Sequence, residues 1–456
     1  MRVCHGVTAW FDDPNLVSCA GLVPVLELGQ RAGFQRLIAE HVKIDKPGGV
    51  NADLKVPALV AGMIAGADSI DDMGLLRHGA MDRLASGVRA PSTLGTFLRS
   101  FTFGHVRQLD AVNARLLINL ARCAPLLPGA DQLAYIDVDD TVRGTYGYAK
   151  QGAGRGYTGV NGLNALLAIV STPICAPVIA AVRLRKGSVG SARGAHRLIA
   201  DALVTAHRAG ATGLRVLRAD GAFYNHDVIA ACRRSNSRFS ITARQDPAVR
   251  KAITGIDPGA WTPIKYTNAI WDEQAQDWIS EAEVAEIDYT AFTSRPKAQH
   301  VSARLIVRRV PDMNPANQDE LFTVYRHHAV FTDSPLPMLA AEKAHRAHAI
   351  VEQVIADLKN GPLAHLPSGK FWANSAWLVC AAMAFNLTRA AGTLASAFHA
   401  KATTATIRAQ LIVVPARLAR SARRLTLHLP THWPWAHAWT QMLYASRHRP
   451  PARHPS

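Results

Sequence analysis

Leu133-Ala-Tyr-Ile-Asp-Val-Asp-Asp-Thr141 alternates with the two-residue period of a β-strand. Tyr135, Asp137 and Asp139 fall on one face, and Ile136 and Val138 on the other. Beyond a glycine-rich stretch at 146–162, two apolar runs at 166–170 and 178–184 read as buried strands, with Pro173 and Pro177 in the turn between them. A helical period over 195–209 precedes the strand Leu214-Arg-Val-Leu-Arg-Ala-Asp220. A second helix near 225–235 leads to a strand at 238–243. The order strand, strand, strand, helix, strand, helix, strand predicts a mixed α/β fold.

On either side the pattern changes. Residues 1–125 carry short apolar-periodic stretches broken by glycine and proline, which predicts a helical N-terminal region. Within it, Arg89-Ala-Pro-Ser-Thr-Leu-Gly-Thr-Phe-Leu-Arg99 predicts a helix capped by Ser92 or Thr93. Leu94, Phe97 and Leu98 would be buried, with Thr96 and Arg99 outward, as plain packing or as the reading helix of a DNA-binding pair. Residues 245–332 are rich in Thr, Val and Tyr, and read as strands at 262–266, 284–292, 303–310 and 321–331. Helices follow at 337–361 and 368–389. The resulting domains are 1–125, 126–244, a β-rich insertion at 245–332, 333–395, and a basic tail from 396 to 456 whose last ten residues read as unstructured.

The 456 residues hold 51 Lys and Arg against 34 Asp and Glu, a net +17. A surplus of that size points to a polyanionic partner. It is concentrated at the end of the chain, since no acidic residue follows Asp357. Some members of a further basic group around the first strands (Arg143, Lys150, Arg155, Arg183, Arg185, Lys186, Arg193) are expected to track a phosphate backbone. The 48% hydrophobic content excludes a disordered chain. Six scattered cysteines without a C-x-x-C exclude a zinc ribbon or disulfide framework and fit a reducing cytoplasm. Asp12 and Asp13 interrupt any apolar leader, and the uncharged run at 371–388, which contains Asn374, Ser375 and Asn386, reads as a core helix rather than a membrane span. No phosphate-binding G-x-x-x-x-G-K-[ST] loop is present.

Three carboxylates stand out. Asp139 and Asp220 end hydrophobic strands, where a side chain projects into a crevice. Glu352 lies within His345-Arg-Ala-His-Ala-Ile-Val-Glu352-Gln-Val-Ile-Ala-Asp-Leu-Lys359. At helical spacing, His345, His348, Glu352 and Lys359 share one stripe beside the apolar face of Ile350, Val351, Val354, Ile355 and Leu358. Carboxylates drawn from two strands and a helix suit hard oxygen-seeking cations such as Mg²⁺, and a pair of such ions supports in-line phosphoryl transfer.

These residues resemble a bacterial insertion-sequence transposase of the DDE type, in the branch with a β-rich insertion and a Tyr-x2-Arg-x3-Glu-x6-Lys signature. Asp139-Asp140-Thr141 matches the first acidic motif, and Asp220-Gly-Ala-Phe223 the second. Glu352 and Lys359 keep the signature's gap, while His345 and His348 stand where it has Tyr and Arg. Asp137 shares the strand face, but the Thr two residues beyond Asp139 favours Asp139. The resemblance covers roughly residues 15–390 and implies an RNase H-like mixed sheet flanked by helices, with a helical N-terminal DNA-binding region.

It further implies a DNA transposase using two Mg²⁺ ions, with Mn²⁺ as a substitute, held by Asp139, Asp220 and Glu352. The reaction would cut at the element's terminal inverted repeats and join the 3′ hydroxyl to target DNA. Lys359, His348, His345 and Arg346 would contact DNA, and Trp261, Trp271 or Trp278 would stack on a base flipped out at a hairpin end. A cytoplasmic homodimer acting on DNA, with no membrane partner, completes the expectation. Two other readings are a catalytically inactive DNA-binding derivative and a non-transposing nuclease on the same scaffold.

Overall fold

The structure, a computed structural model, describes residues 6–146, 150–156, 158–272, 277–311, 324–422 and 424–448, with backbone alone for 267–272 and 277–279. It comprises two compact units: 127–146 with 152–356, and 1–126 with 147–151 and 357–456.

The first of these is built on a ten-stranded mixed sheet. Strands β1 (Leu133–Gly144), β2 (Asn161–Thr172) and β3 (Cys175–Lys186) form an antiparallel meander. Helix α1 (Ala195–Arg208) then crosses to β4 (Leu214–Ala219), which pairs parallel with β1. Helix α2 (His226–Arg234) crosses to β5 (Arg238–Thr242), parallel with β4. The crossovers follow from the sequence: α1 buries Leu198, Ile199, Ala202, Leu203 and Ala206 along one stripe, and that stripe packs on β3 and β2. The central strands are covered on both faces, so β2 is buried almost end to end.

Both apolar runs are longer than expected, and β1 does not end at Asp139 but continues to Gly144 against β2. What ends near Asp139 is the parallel pairing with β4, whose last pair is Val138 with Ala219. Two glycines at the β2–β3 edge have a steric reason. A Cβ on Gly162, the last of the glycine-rich stretch, would lie 2.2 Å from the Arg143 carbonyl oxygen, and one on Gly187 would lie 1.9 Å from the Gly162 carbonyl oxygen and 2.3 Å from that of Gly154.

The strands of 245–332 continue this sheet instead of making one of their own. β6 (Thr262–Asp272), β7 (Asp277–Ala291), β8 (Val301–Pro311) and β9 (Tyr325–Thr332) follow one another antiparallel, and β9 pairs with β5. The full path runs β3-β2-β1-β4-β5-β9-β8-β7-β6, with the two-residue strand Gly154–Arg155 also on the outer edge of β2. The expected start of β9 at 321–323 lies outside the described residues. Helix α3 (Met338–Arg346) follows, then a 3₁₀ turn at Ala347–Ala349, then α4 (Ile350–Lys359). The turn interrupts the single helix expected over 337–361. It advances side chains by about 120° per residue in place of 100°, so the stripe inferred for positions 345 to 359 does not hold its phase.

The other unit is mostly helical. Helices Leu22–Arg31, Phe34–His41, Ala52–Ala65, Pro91–Arg99 and Phe103–Cys123 gather with Phe371–Ala395. That last helix is apolar and long enough to cross a membrane, yet 94% of its most apolar window is buried within the protein. In Pro91–Arg99, Leu94, Phe97 and Leu98 are buried and Thr96 and Arg99 exposed, as the pattern requires. Its N-cap is Ala90, because Pro91 takes the first helical position, where its missing N–H is no loss. A three-stranded sheet of Leu16–Val17, Ala416–Ser421 and Arg424–His428 completes the unit. Lys150 donates to the Leu366 carbonyl here and is partly buried, which lowers its pKa and takes it off the list of free phosphate contacts. The chain end expected to be unstructured starts inside the helix Ala436–Arg447, where Arg447 pairs with Glu27 at 2.9 Å; 449–456 lie outside the described residues.

Candidate active site

The parallel register of β1 and β4 sets Asp137 beside Arg218. Side chains repeat every two residues on a strand face, so Asp139 and Asp220 are the next couple on that face, one step past the last parallel pair. The two couples are electrically opposite. Asp137 is fully buried and takes two bonds from Arg218, at 2.6 Å from Nε and 2.7 Å from Nη2. Arg218 in turn stacks 3.9 Å from the Tyr135 ring centroid and donates to the Ala344 carbonyl. On the opposite face Asp140 is neutralised by buried Arg185, which also holds Asn164 and the Ser191 carbonyl. Arg185, expected among the DNA-tracking cations, is therefore a core residue.

Asp139 and Asp220 have no lysine or arginine partner among the described residues. Asp139 accepts the Asp140 amide at 2.7 Å, and Asp220 caps the 3₁₀ turn Gly221–Phe223 by accepting the Ala222 amide at 3.0 Å. Burial pushes the Asp139 carboxyl up to about 6, and the charges of Asp220 and Asp140 add to the rise. Asp220 is raised too, first by the protein packed around it, although its open side keeps water near the carboxylate. Like charges held together in partly dry surroundings disfavour ionisation of both.

His348, in the 3₁₀ turn between α3 and α4, lies close enough to attract both carboxylates. Its Nδ1–H donates to Asp137 Oδ1 at 3.0 Å, and its side chain is 15% exposed. A buried chain thus runs from Arg218 through Asp137 to His348. The other ring nitrogen, Nε2, has no hydrogen-bond partner among the described residues. Neither Arg218 nor the Asp137–His348 contact entered the sequence reading. The signal that would have found them is the matched spacing, Asp-x-Asp on one strand and Arg-x-Asp on its parallel neighbour.

The other expected site residues are placed variously. Glu352 is exposed in the first turn of α4, without an ion pair or side-chain hydrogen bond among the described residues. No group of three His, Cys, Asp or Glu side chains stands at metal-holding spacing among the described residues. The structure brings together Asp139, Asp220 and His348 but does not draw Glu352 into a three-carboxylate cluster. Lys359 is half-buried in the last turn of α4.

His345, expected to reach DNA, is inside: its ring sits between the Ser240 hydroxyl at 3.0 Å and the Thr242 hydroxyl at 2.9 Å. Burial pushes its pKa down to about 3, so it is a neutral core residue. Arg346 is held by Glu342 at 2.7 Å and stacks over Tyr266. Trp261 lies beneath the Arg309 guanidinium, 4.1 Å from the ring centroid. Trp271 and Trp278 are paired in the β6–β7 backbone register, and their side chains lie outside the described residues.

The fold and site define a mixed α/β protein with an acidic couple where a parallel strand pair parts. The family model described as Transposase DDE domain group 1 matches residues 4–450, nearly the whole chain. The chain belongs to that family and is a DDE transposase. No curated protein matches it in sequence. Among solved structures, a piggyBac transposase synaptic complex with hairpin DNA is similar at a TM-score of 0.39 and 9% identity, over 85% of this chain and 78% of that one.

Proposed function

We propose that this transposase cuts DNA at the ends of its element and transfers the resulting 3′ hydroxyl to target DNA, at a site centred on Asp139 and Asp220. One observation carries the reading: of four clustered aspartates, Asp137 and Asp140 are each neutralised by a buried arginine, while Asp139 and Asp220 are left side by side with no lysine or arginine partner among the described residues. A folded protein gains nothing in stability from two such charges, and sites of this kind are where function resides. The strand order β3-β2-β1-β4-β5, three antiparallel strands followed by two parallel ones, supports the RNase H-like assignment.

The donor chemistry fits divalent metal, since both side chains offer carboxylate oxygens and neither has a lysine or arginine partner among the described residues. Asp139 and Asp220 would hold the ions, with Glu352 as the third carboxylate the signature supplies. When bound, two divalent cations provide Lewis-acid stabilisation of the charge that develops on the transferring phosphoryl group.

The chain's own part is positional. Arg218 fixes Asp137, and Asp137 orients the His348 ring beside the two carboxylates, where it can meet a DNA phosphate or an ordered water. Lys359 follows Glu352 along α4 as a phosphate contact. The net charge of +17 and the acid-free C-terminal region favour duplex DNA as the substrate, and the family resemblance implies a homodimer acting on it.

The test is cleavage of a supercoiled plasmid carrying the DNA that flanks the reading frame, with Mg²⁺ or Mn²⁺. Wild type should nick at the element's boundaries. Asp220→Asn should abolish nicking and leave DNA binding intact. A variant that cuts as fast as the parent would remove Asp220 from the site.

A further inference from the structure

In the helical unit, Ala416–Ser421 and Arg424–His428 form an antiparallel ribbon, with Ala422 at the turn in the left-handed region at φ 53°. The register pairs Arg417 with His428, Ala419 with Thr426, and Ser421 with Arg424. Directly paired residues share a face, so these six make one surface, flanked by exposed Leu16, which pairs with Arg417. On the other face Ala416 and Leu418 are buried and Leu427 is half-buried, while the Arg420–Leu425 pair nearer the turn is exposed. The outer face is open, since Arg417, Ser421, Arg424, Thr426 and His428 are all exposed. Its side chains offer hydrogen-bond donors and no carboxylate. One acidic residue reaches it from elsewhere: Asp13 lies 3.3 Å from Arg417, which keeps a side chain 65% exposed.

An exposed ribbon face built from arginine, serine, threonine and histidine complements a surface of acceptors and negative charge. Beyond the pairing of Leu16 and Val17 with Arg417 and Ala416, the end nearer the turn is two-stranded, a width that the DNA major groove, about 12 Å across, admits. We propose that this ribbon docks in a groove of duplex DNA, with Arg424 and Arg417 on phosphates or guanine edges and Thr426 and Ser421 between them. The inference rests on the transposase reading and adds to it a DNA-reading element distinct from the carboxylate site.

The experiment uses the full chain, a duplex copied from the DNA flanking the reading frame, and a scrambled duplex of equal length, with binding followed by fluorescence anisotropy across a salt series. Arg417→Ala/Arg424→Ala should weaken binding to the flanking duplex by about tenfold or more, and lower the slope of log K against log salt by about 0.9 per arginine lost. Arg424→Lys separates the modes: it should keep the slope and lose preference for the flanking duplex if Arg424 reads a base edge. Circular dichroism confirms that the surface variants are folded.

A double variant with wild-type affinity and slope on both duplexes overturns the proposal. Wild type that binds the two duplexes equally overturns end recognition alone, and the salt slope on the scrambled duplex then decides the ribbon. Wild type that binds neither overturns both.

Discussion

Asp139→Asn should stabilise the metal-free protein while destroying its chemistry. In the folded state the Asp139 carboxyl ionises near pH 6, against 3.8 in an unfolded chain. Folding thus favours its protonated form. The associated stability is fully present below pH 3.8 and is lost as pH rises through 6, so at pH 7 the ionised carboxylate weighs against the fold. The interval from 3.8 to about 6 corresponds to roughly 3 kcal/mol, an upper bound because Asp139 keeps some contact with water and shares its proton affinity with Asp220. An asparagine removes the charge yet can still accept the Asp140 amide, so the local backbone contact survives.

Thermal and urea denaturation in EDTA at pH 7 should show the variant more stable than wild type by about 1–3 kcal/mol, several degrees in Tm. At pH 4 the two should converge, because wild-type Asp139 is then mostly protonated. Added Mg²⁺ or Mn²⁺ should raise the stability of wild type and have little effect on the variant. A variant less stable than wild type at pH 7, or a difference that is the same at both pH values, would refute the account of charge held in reserve for a cation.

Asp137→Ala leaves the Arg218 guanidinium, 2% exposed, without its counterion, and should cost about 3–5 kcal/mol in urea denaturation; adding Arg218→Leu should recover much of the loss. His345 is neutral in the fold, so wild-type stability is intact above about pH 6.5 and falls as the pH drops toward 3; His345→Gln should lack that part of the acid sensitivity, a difference of about 2 kcal/mol at pH 5 by denaturation at matched pH. Gly187→Ala forces a Cβ against two carbonyl oxygens and should destabilise by about 1–3 kcal/mol, visible as a lowered Tm, whereas Gly190→Ala, whose Cβ meets nothing within 4 Å, should be near neutral.

Much of the sheet was legible because its signals are local. Alternation in 133–141, apolar runs of strand length and one-sided helices at 195–208 and 226–234 each announce an element from a few neighbouring residues. What escaped is what depends on partners distant in sequence. Nothing within 262–332 tells whether its strands form a separate module or extend the main sheet; the answer lies in the pairing of Val330 and Phe331 with Thr242 and Ile241. The 3₁₀ turn at Ala347–Ala349 was hidden in the same way, since its composition, Ala-His-Ala, is ordinary helix. Arg185 looked like any other surface cation, and only its bond to Asp140 across the sheet marks it as core. Asp139 and Asp220 were recognisable by residue type and context, and His345 was misjudged because a neutral histidine between two hydroxyls leaves no trace in sequence.

The contrast between the inner ion pair and the outer acidic couple follows from register alone. On neighbouring parallel strands, Asp-x-Asp against Arg-x-Asp places unlike charges side by side at the inner step and like charges at the outer one. The inner couple is dry and closed by two hydrogen bonds, so it holds the strands in their alignment; the outer couple is wetter and repels. Slipping one strand by a single residue would turn Arg218 to the opposite face and leave Asp137 buried and unpaired, at a cost far above what the outer repulsion could return. The inner pair therefore enforces the alignment that keeps the outer carboxylates together. This makes Arg218 more than a core residue, since the closeness of Asp139 and Asp220 depends on it. Arg218→Lys, which keeps the charge but cannot form the two-pronged bond, should leave a folded sheet and weaken divalent-cation binding measured by calorimetry, whereas a purely packing role for Arg218 predicts cation affinity equal to wild type.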